Sequence, residues 1–403
     1  MALETDRESA REEREATLEV LPLEERIPAA SWLSAISLHN LRQLERESQG
    51  VGNKAKRVKI VPLADPFARR QTRIPLYLVS HESSIRLDGQ ALVLEGKNGA
   101  QRDFLIQSLS HLVFLGRNRA TVPALLKLAR EGVPSYFCSW MGELQATFAE
   151  PAPRWQLWQQ QARATDDPEL RVAFAREVVA AKIHNATRLV VRFDLGDADD
   201  LSDTLAALEE SVWNKRGPEG ILGLEGQSAR LYFAALARSL AALPEKGWGF
   251  AGRNKHPPRD PVNSLLSFGY HLLGYHTATA LTEAGLNPHL GLFHEPTYRF
   301  PALAADLQEE FRHLVDAFVW GLIHRRWVKP KDFQQAPGNA VYLKAVARRK
   351  FVEWFEERIL TQLTPPGATA PVTYRELIAQ QALQIRELVQ GRMPKYQPLR
   401  IES

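Results

Sequence analysis

Apolar and polar positions change rhythm once along this chain. Between residues 74 and 150 the apolar positions fall in short, closely spaced runs at 76–79, 85–87, 91–95, 104–107, 113–115, 133–138 and 144–148. Turn signals such as Leu87-Asp88-Gly89 and Lys97-Asn98-Gly99 separate them, so the spacing predicts strands. One helix is expected among them over 122–131, closed by Gly132 as its C-cap. After Glu150-Pro151-Ala152-Pro153 the apolar positions recur at about 3.6 residues, the period of a helix. Helices are expected over 155–164, 168–191, 199–215, 220–243, 261–284, 302–326, 341–363 and 373–390. The fold class is therefore α+β: a small β-sheet domain (74–150) precedes a larger all-α domain (154–403), with an unassigned charged extension at 1–73.

Composition narrows this picture. With 403 residues, 44% hydrophobic and 24% charged, the chain is an ordinary globular polymer, which excludes bulk disorder, collagen-like repeats and coiled-coil rods. The single cysteine, Cys138, excludes a disulfide framework and a thiolate zinc site, so any metal must be held by His, Asp or Glu. Cys138 itself lies in an apolar run and reads as a buried core thiol. No apolar run reaches the roughly 18 residues that a bilayer span needs, and the charged start has no apolar stretch behind it, so no membrane contact and a cytoplasmic location are expected. The net charge of +4 is a sum of unlike parts: residues 1–50 carry −5, residues 51–73 carry +6, and the rest +3. The basic run at 53–59 reads as solvated surface or as a nucleic-acid contact.

Three places put acids or histidine where a helical core does not ask for them. Glu225 shares a helical face with Ala229, Tyr232 and Leu236, so its carboxylate points to the apolar side and needs a cation nearby. Taken alone it reads more readily as a salt bridge to an arginine or as a helix N-terminal carboxylate than as a functional group. The turn-rich loop 285–296 carries His289 and His294. Asp306 and Glu309 stand three apart on one helical face, a spacing that elsewhere usually marks a solvated face. Together, one Glu, one His and an Asp-x-x-Glu pair form a hard donor set suited to Mg²⁺ or Mn²⁺ and to phosphoryl-transfer chemistry.

These residues carry a resemblance. The run Leu224-Glu225-Gly226 with Ala229-Arg230-Leu231-Tyr232-Phe233, the stretch 253–270, Ala284-Gly285-Leu286-Asn287-Pro288 leading to His294, and Asp306-Leu307-Gln308-Glu309 before Phe311-Arg312 resemble CRISPR-associated protein one, the spacer-acquisition integrase. The resemblance runs in order over about residues 74–400. It implies a metal triad of Glu225, His294 and Glu309, with Asp306 as auxiliary catalytic acid and His289 and Glu310 as near misses. It implies DNA-phosphate contact, or support of the catalytic loop, by Arg253, Lys255, His256 and Asn263, and DNA contact by Arg259 and Arg230. Basic residues at 325–331 and 348–350 join the same expected phosphate-binding set, the latter reading equally as an exposed helix face. Lys182-Ile183-His184-Asn185 matches a further family element, but Ala186 stands where a glutamine is common, so Asn185 is not taken as catalytic.

What the resemblance implies in function is metal-dependent insertion of spacer DNA into a CRISPR array by 3′-hydroxyl attack on repeat phosphodiesters. The same site running with water would be an endonuclease. Implied partners are DNA (spacer precursor and CRISPR repeat), a second copy in a homodimer formed through the β domain, and a small ferredoxin-like bridge, CRISPR-associated protein two. The chain carries no Gly-x-x-x-x-Gly-Lys-Ser/Thr loop, in keeping with chemistry that consumes no nucleotide. Two alternatives keep the fold: an inactive DNA-binding scaffold, and a transposon integrase, for whose usual helix-turn-helix the tail after Gly391 is short.

Overall fold

The computed structural model describes residues 73–402 apart from 80–81, 97–98, 150–153, 255–256, 296–300 and 365–369. The charged extension before residue 73 with its basic run at 53–59, and the candidates Lys255 and His256, lie outside the described residues. The strand-rich part begins with β1 (Ile74–Leu78), β2 (Ser84–Asp88), β3 (Ala91–Glu95) and β4 (Gln101–Leu105). It continues through β5 (Leu109–Leu115), β6 (Arg119–Ala120), helix α1 (Val122–Arg130), β7 (Ser135–Cys138) and β8 (Leu144–Phe148). They form two four-stranded sheets, ordered β1-β5-β7-β8 and β4-β3-β2-β6.

β5 joins two cores. It pairs in parallel with β1 and β7, and all seven of its residues are buried. Side chains alternate across a strand, so Leu112 and Phe114 enter a cluster with Ile85, Leu92, Ala124 and Leu128, while Val113 and Leu115 enter the cluster that continues into the helices. Cys138 is 3% exposed beside them, and burial pushes its thiol up to about 12, as expected for a core residue. Expected residues 104–107 differ: the strand stops at Leu105 and Ile106–Ser108 turn as a short 3₁₀ helix that re-aims the chain into β5.

The helical part comprises α2 (Trp155–Thr165), α3 (Pro168–Phe193), α4 (Ala198–Val212), α5 (Pro218–Ala241) and α6 (Pro261–Ala284). After these come α7 (Ala302–Glu309), α8 (Arg312–His324), α9 (Ala345–Ile359) and α10 (Tyr374–Val389). α6 is buried on almost every side, as a central helix must be. Its ends coincide with the sequence expectation because Asp260 caps the first turn through Asn263 N–H and Gly285 closes it in the left-handed region (φ 88°).

Two expectations for this part are corrected. The stretch 302–326 is two helices, because the Glu310 carbonyl accepts from Asn185 Nδ2 (2.9 Å) and His313 Nδ1 (2.8 Å) and Phe311 turns fully into the core. The part is also not all helix: Phe333–Ala336 (β9) and Ala340–Leu343 (β10) form a hairpin, and Gln362–Leu363 pairs with Val372–Thr373. Gly338 and Asn339 both adopt positive φ and turn β9 into β10, which occupies the first residues of the helix expected at 341–363. Among the described residues no helix is long and apolar enough to cross a membrane.

Candidate active site

Glu225 stands in the third turn of α5, whose first helical residue, Pro218, lacks an N–H to leave unsatisfied. Tyr232 and Leu236 are buried on the same face, as the spacing implied. The cation that this face demands is a lysine rather than an arginine: Lys182 Nζ of α3 pairs with Glu225 Oε1 and, at 2.5 Å, with Glu309 Oε2. Glu309, the last residue of α7, is 2% exposed and also takes Arg312 Nε at 2.9 Å. Burial alone would keep Glu309 protonated, but Arg312, Lys182 and His294 outweigh it and hold the carboxyl at about 2. The same neighbourhood raises Arg312 above its ordinary range against the pull of burial.

Asp306 is wholly buried, and its two oxygens are filled by the loop that carries His294. Oδ2 accepts from Leu292 N–H (2.7 Å) and Phe293 N–H (3.0 Å), and Oδ1 from His294 N–H and His294 Nδ1–H (both 2.8 Å). Burial disfavours the imidazolium, but the Asp306 hydrogen bond and the charges of Glu309 and Asp306 raise the His294 pKa overall. With Nδ1 engaged, Nε2 is the nitrogen turned over to a ligand or a proton. The spacing of Asp306 and Glu309 thus marks a buried face, not a solvated one. Both oxygens of Asp306 are engaged in bracing the His294 loop and ring.

Behind these groups lies a second layer, of which the sequence singled out Arg253 and Asn263 but not Tyr270 and Asp316. The Tyr270 ring is flanked by Arg312 (4.7 Å to the guanidinium carbon) and Arg253 (5.4 Å), and its hydroxyl donates to Asp316. Burial holds Asp316 up at about 6 and draws Arg253 down. Arg253 Nη1 donates to Asn263 Oδ1 (2.7 Å), and Nη2 to Ser267 Oγ (3.0 Å). Asn263 is fully buried and donates to Gly252 O (2.8 Å) and Asp260 Oδ2 (2.7 Å). Of the two roles expected for Arg253 and Asn263, these bonds are those of loop support.

The structure gathers Glu225, Glu309 and His294 around Lys182 and Arg312 and turns the near misses elsewhere. His289 is exposed, its amide bonded to Asn287 Oδ1. Glu310 faces the opposite way from Glu309, accepts from Tyr396 OH and Leu399 N–H, and is pushed by burial up to about 8. Arg230 and Arg259 are exposed, as are Arg325, Arg326, Lys331, Arg349 and Lys350, whereas Arg348 is 4% exposed and lies over Trp140. Asn185 is buried and tethers the segment at 399–401 through Leu399 O and Ile401 N–H.

Among the described residues no three His, Cys, Asp or Glu side chains stand together as a ready metal cage. The donor chemistry still fits a hard divalent ion: two carboxylates from different helices already converge on one cationic atom, with an imidazole braced beside them. Sequence reasoning missed Lys182 and Arg312 as members of this site. The one signal that could have found them is the unpaired buried charge that Glu225 and Glu309 would otherwise be.

The order of strands first and helices after is shared with solved structures. The solved Cas6-RT-Cas1–Cas2 complex superposes with a TM-score of 0.73 at 25% identity over 82% of this chain and 36% of that one. Residues 76–357 match the family described as CRISPR associated protein Cas1, and the chain belongs to that family. A relative from Thermus thermophilus named CRISPR-associated endonuclease Cas1 1 is 35% identical over 320 residues, 79% of this chain and 96% of the relative. The CRISPR-associated exonuclease Cas4/endonuclease Cas1 fusion of Geobacter sulfurreducens is 32% identical over 333 residues, 80% of this chain. The match spans only 59% of that fusion's length.

Proposed function

We propose that the protein is a metal-dependent DNA endonuclease and integrase that joins a spacer precursor to a CRISPR repeat. The observation that carries this reading is the convergence of Glu225 and Glu309 on one cationic atom beside His294, itself aligned by Asp306. A Mg²⁺ or Mn²⁺ held by Glu225, His294 and Glu309 would neutralise charge at the scissile phosphate. One P–O bond forms to the incoming 3′-oxygen and one breaks to the strand's own 3′-oxygen. The attacking hydroxyl's proton ends on the leaving oxygen, so neither water nor nucleotide is consumed. His294 serves either as a ligand through Nε2 or as the carrier of that proton, and Asp306 braces the ring for both roles. Exposed Arg230 and Arg259, with the basic residues at 325–331 and 349–350, supply phosphate contacts, so binding weakens steeply with salt. The working assembly in this reading is a homodimer bridged by a second small CRISPR-associated protein, a pairing supported by the similar complex, which joins Cas1 to Cas2 in its own name.

The test is a strand-transfer assay with a labelled 3′-hydroxyl DNA end, a repeat duplex and Mn²⁺. Activity should vanish with EDTA and fall by roughly a hundredfold or more in His294→Ala. Strand transfer that survives both treatments overturns the reading.

A further inference from the structure

Lys182 is placed where the proposed function puts a divalent ion, and the inference below rests on that reading. The lysine leaves α3 and bonds two carboxylates held on two other helices, Glu225 of α5 and Glu309 of α7. Its side chain is 15% exposed, against 22% for Glu225 and 2% for Glu309. Without it the two carboxylates would face one site with Arg312, which shares Glu309 Oε2 with the lysine, as the remaining counter-charge. A divalent ion entering between the two carboxylates would meet the ammonium at contact distance, and the two cations repel. The lysine stem is flexible and its head strongly hydrated, so it can withdraw when the ion enters, as a planar, multiply bonded arginine cannot.

We propose that Lys182 is a tethered stand-in cation: it holds Glu225 and Glu309 together in the metal-free protein and is displaced by the divalent ion, which frees its ammonium for an anionic ligand such as a DNA phosphate. Arg312 stays in place, since it is anchored between Glu309 and the Tyr270 ring. The exchange keeps the charge facing the two acids positive in both states.

The experiment compares the full chain with Lys182→Met and Lys182→Arg, reading Mn²⁺ affinity by calorimetry and melting temperature with EDTA or Mn²⁺. Lys182→Met should melt lower than wild type in EDTA, bind Mn²⁺ at least about tenfold more tightly, and gain more from Mn²⁺ in melting temperature. Lys182→Arg should match wild type in EDTA. If Lys182→Met does not fold without metal, the double variant Lys182→Met/Glu225→Gln decides, because removing one charge of each sign should restore the EDTA melting temperature. Failure of that restoration overturns the inference. Wild type that takes Mn²⁺ while Lys182→Met binds it no more tightly overturns the exchange alone. Wild type that takes no Mn²⁺ overturns the metal reading of the site and the exchange with it.

Discussion

Replacing Asp306 tests whether the His294 loop is built on one buried carboxylate. In Asp306→Ala the amides of Leu292 and Phe293, at 0% and 3% exposure, lose the carboxylate oxygen that accepts from both. Each orphaned donor costs about 1–3 kcal/mol, so the pair costs about 2–6 kcal/mol, a large share of the ~5–15 kcal/mol that holds a typical domain. Asp306→Asn keeps one carbonyl oxygen but sets an NH₂ against N–H donors and removes the charge, for a loss of about 1–3 kcal/mol. His294 reports the same change independently. Without the carboxylate its pKa falls, because burial is left opposed only by Glu309. Urea unfolding and an NMR titration of the histidine ring nitrogens give the two readouts, and strand transfer should fall about 10–100-fold in Asp306→Asn. Asp306→Ala with wild-type stability and an unshifted His294 titration would refute the reasoning.

Two further predictions concern stability away from the site. Glu356 accepts from Tyr77 OH and His276 Nε2 and pairs with Arg375; although burial pushes the other way, these partners, His276 foremost, hold its carboxyl at about 2. Its folded pKa is depressed, so its stabilisation, on the order of 3 kcal/mol, is complete above the unfolded value near 4.5 and fades as pH falls towards 2. The melting-temperature gap between wild type and Glu356→Gln should therefore narrow as pH falls below about 5 and close by about pH 2, whereas a gap unchanged across that window contradicts the assignment. At Gly269 an added Cβ would lie 2.6 Å from Val315 Cγ1, where α6 meets α8. Overpacking of about 1–3 kcal/mol outweighs the ~1 kcal/mol gain in helix propensity, so Gly269→Ala should melt lower. Adding Val315→Ala should recover part of that loss, and simple additivity of the two losses would count against the close contact.

The parts of the fold legible in the sequence are those set by local chemistry. The ends of α6 could be read because Asp260-Pro261 and Gly285 are cap residues whatever the rest of the chain does. The break after Glu309 could not, because its cause is a side chain on another helix: Asn185 takes the Glu310 carbonyl, and helical periodicity continues across the gap. β10 was hidden for a similar reason, since Ala340–Leu343 is buried throughout and so lacks the alternation of a half-exposed strand. At the site, Glu225 was legible as an acid on an apolar face, His294 as a histidine in a turn-rich loop, and Asp306 with Glu309 as acids three apart on one helical face. That Glu309 looks into the site while Glu310 looks away depends on how α7 meets α8, which spacing alone does not give. Lys182, 43 residues before Glu225, was legible as part of a family-like element, but its pairing with two acids from other helices was not.

The burial of β5 on both faces removes modularity from this chain. Between β1 and β5 the chain builds three strands of the other sheet, and between β5 and β7 it builds β6 and α1. The platform that meets the helices is thus completed only after residue 135, by strands distant in sequence. A fragment holding the helices alone would present the partners of Val113, Leu115 and Tyr136 to water, and one holding the strands alone would leave that sheet face bare. The strand and helical parts are therefore expected to unfold as one cooperative unit, since neither covers its apolar face without the other.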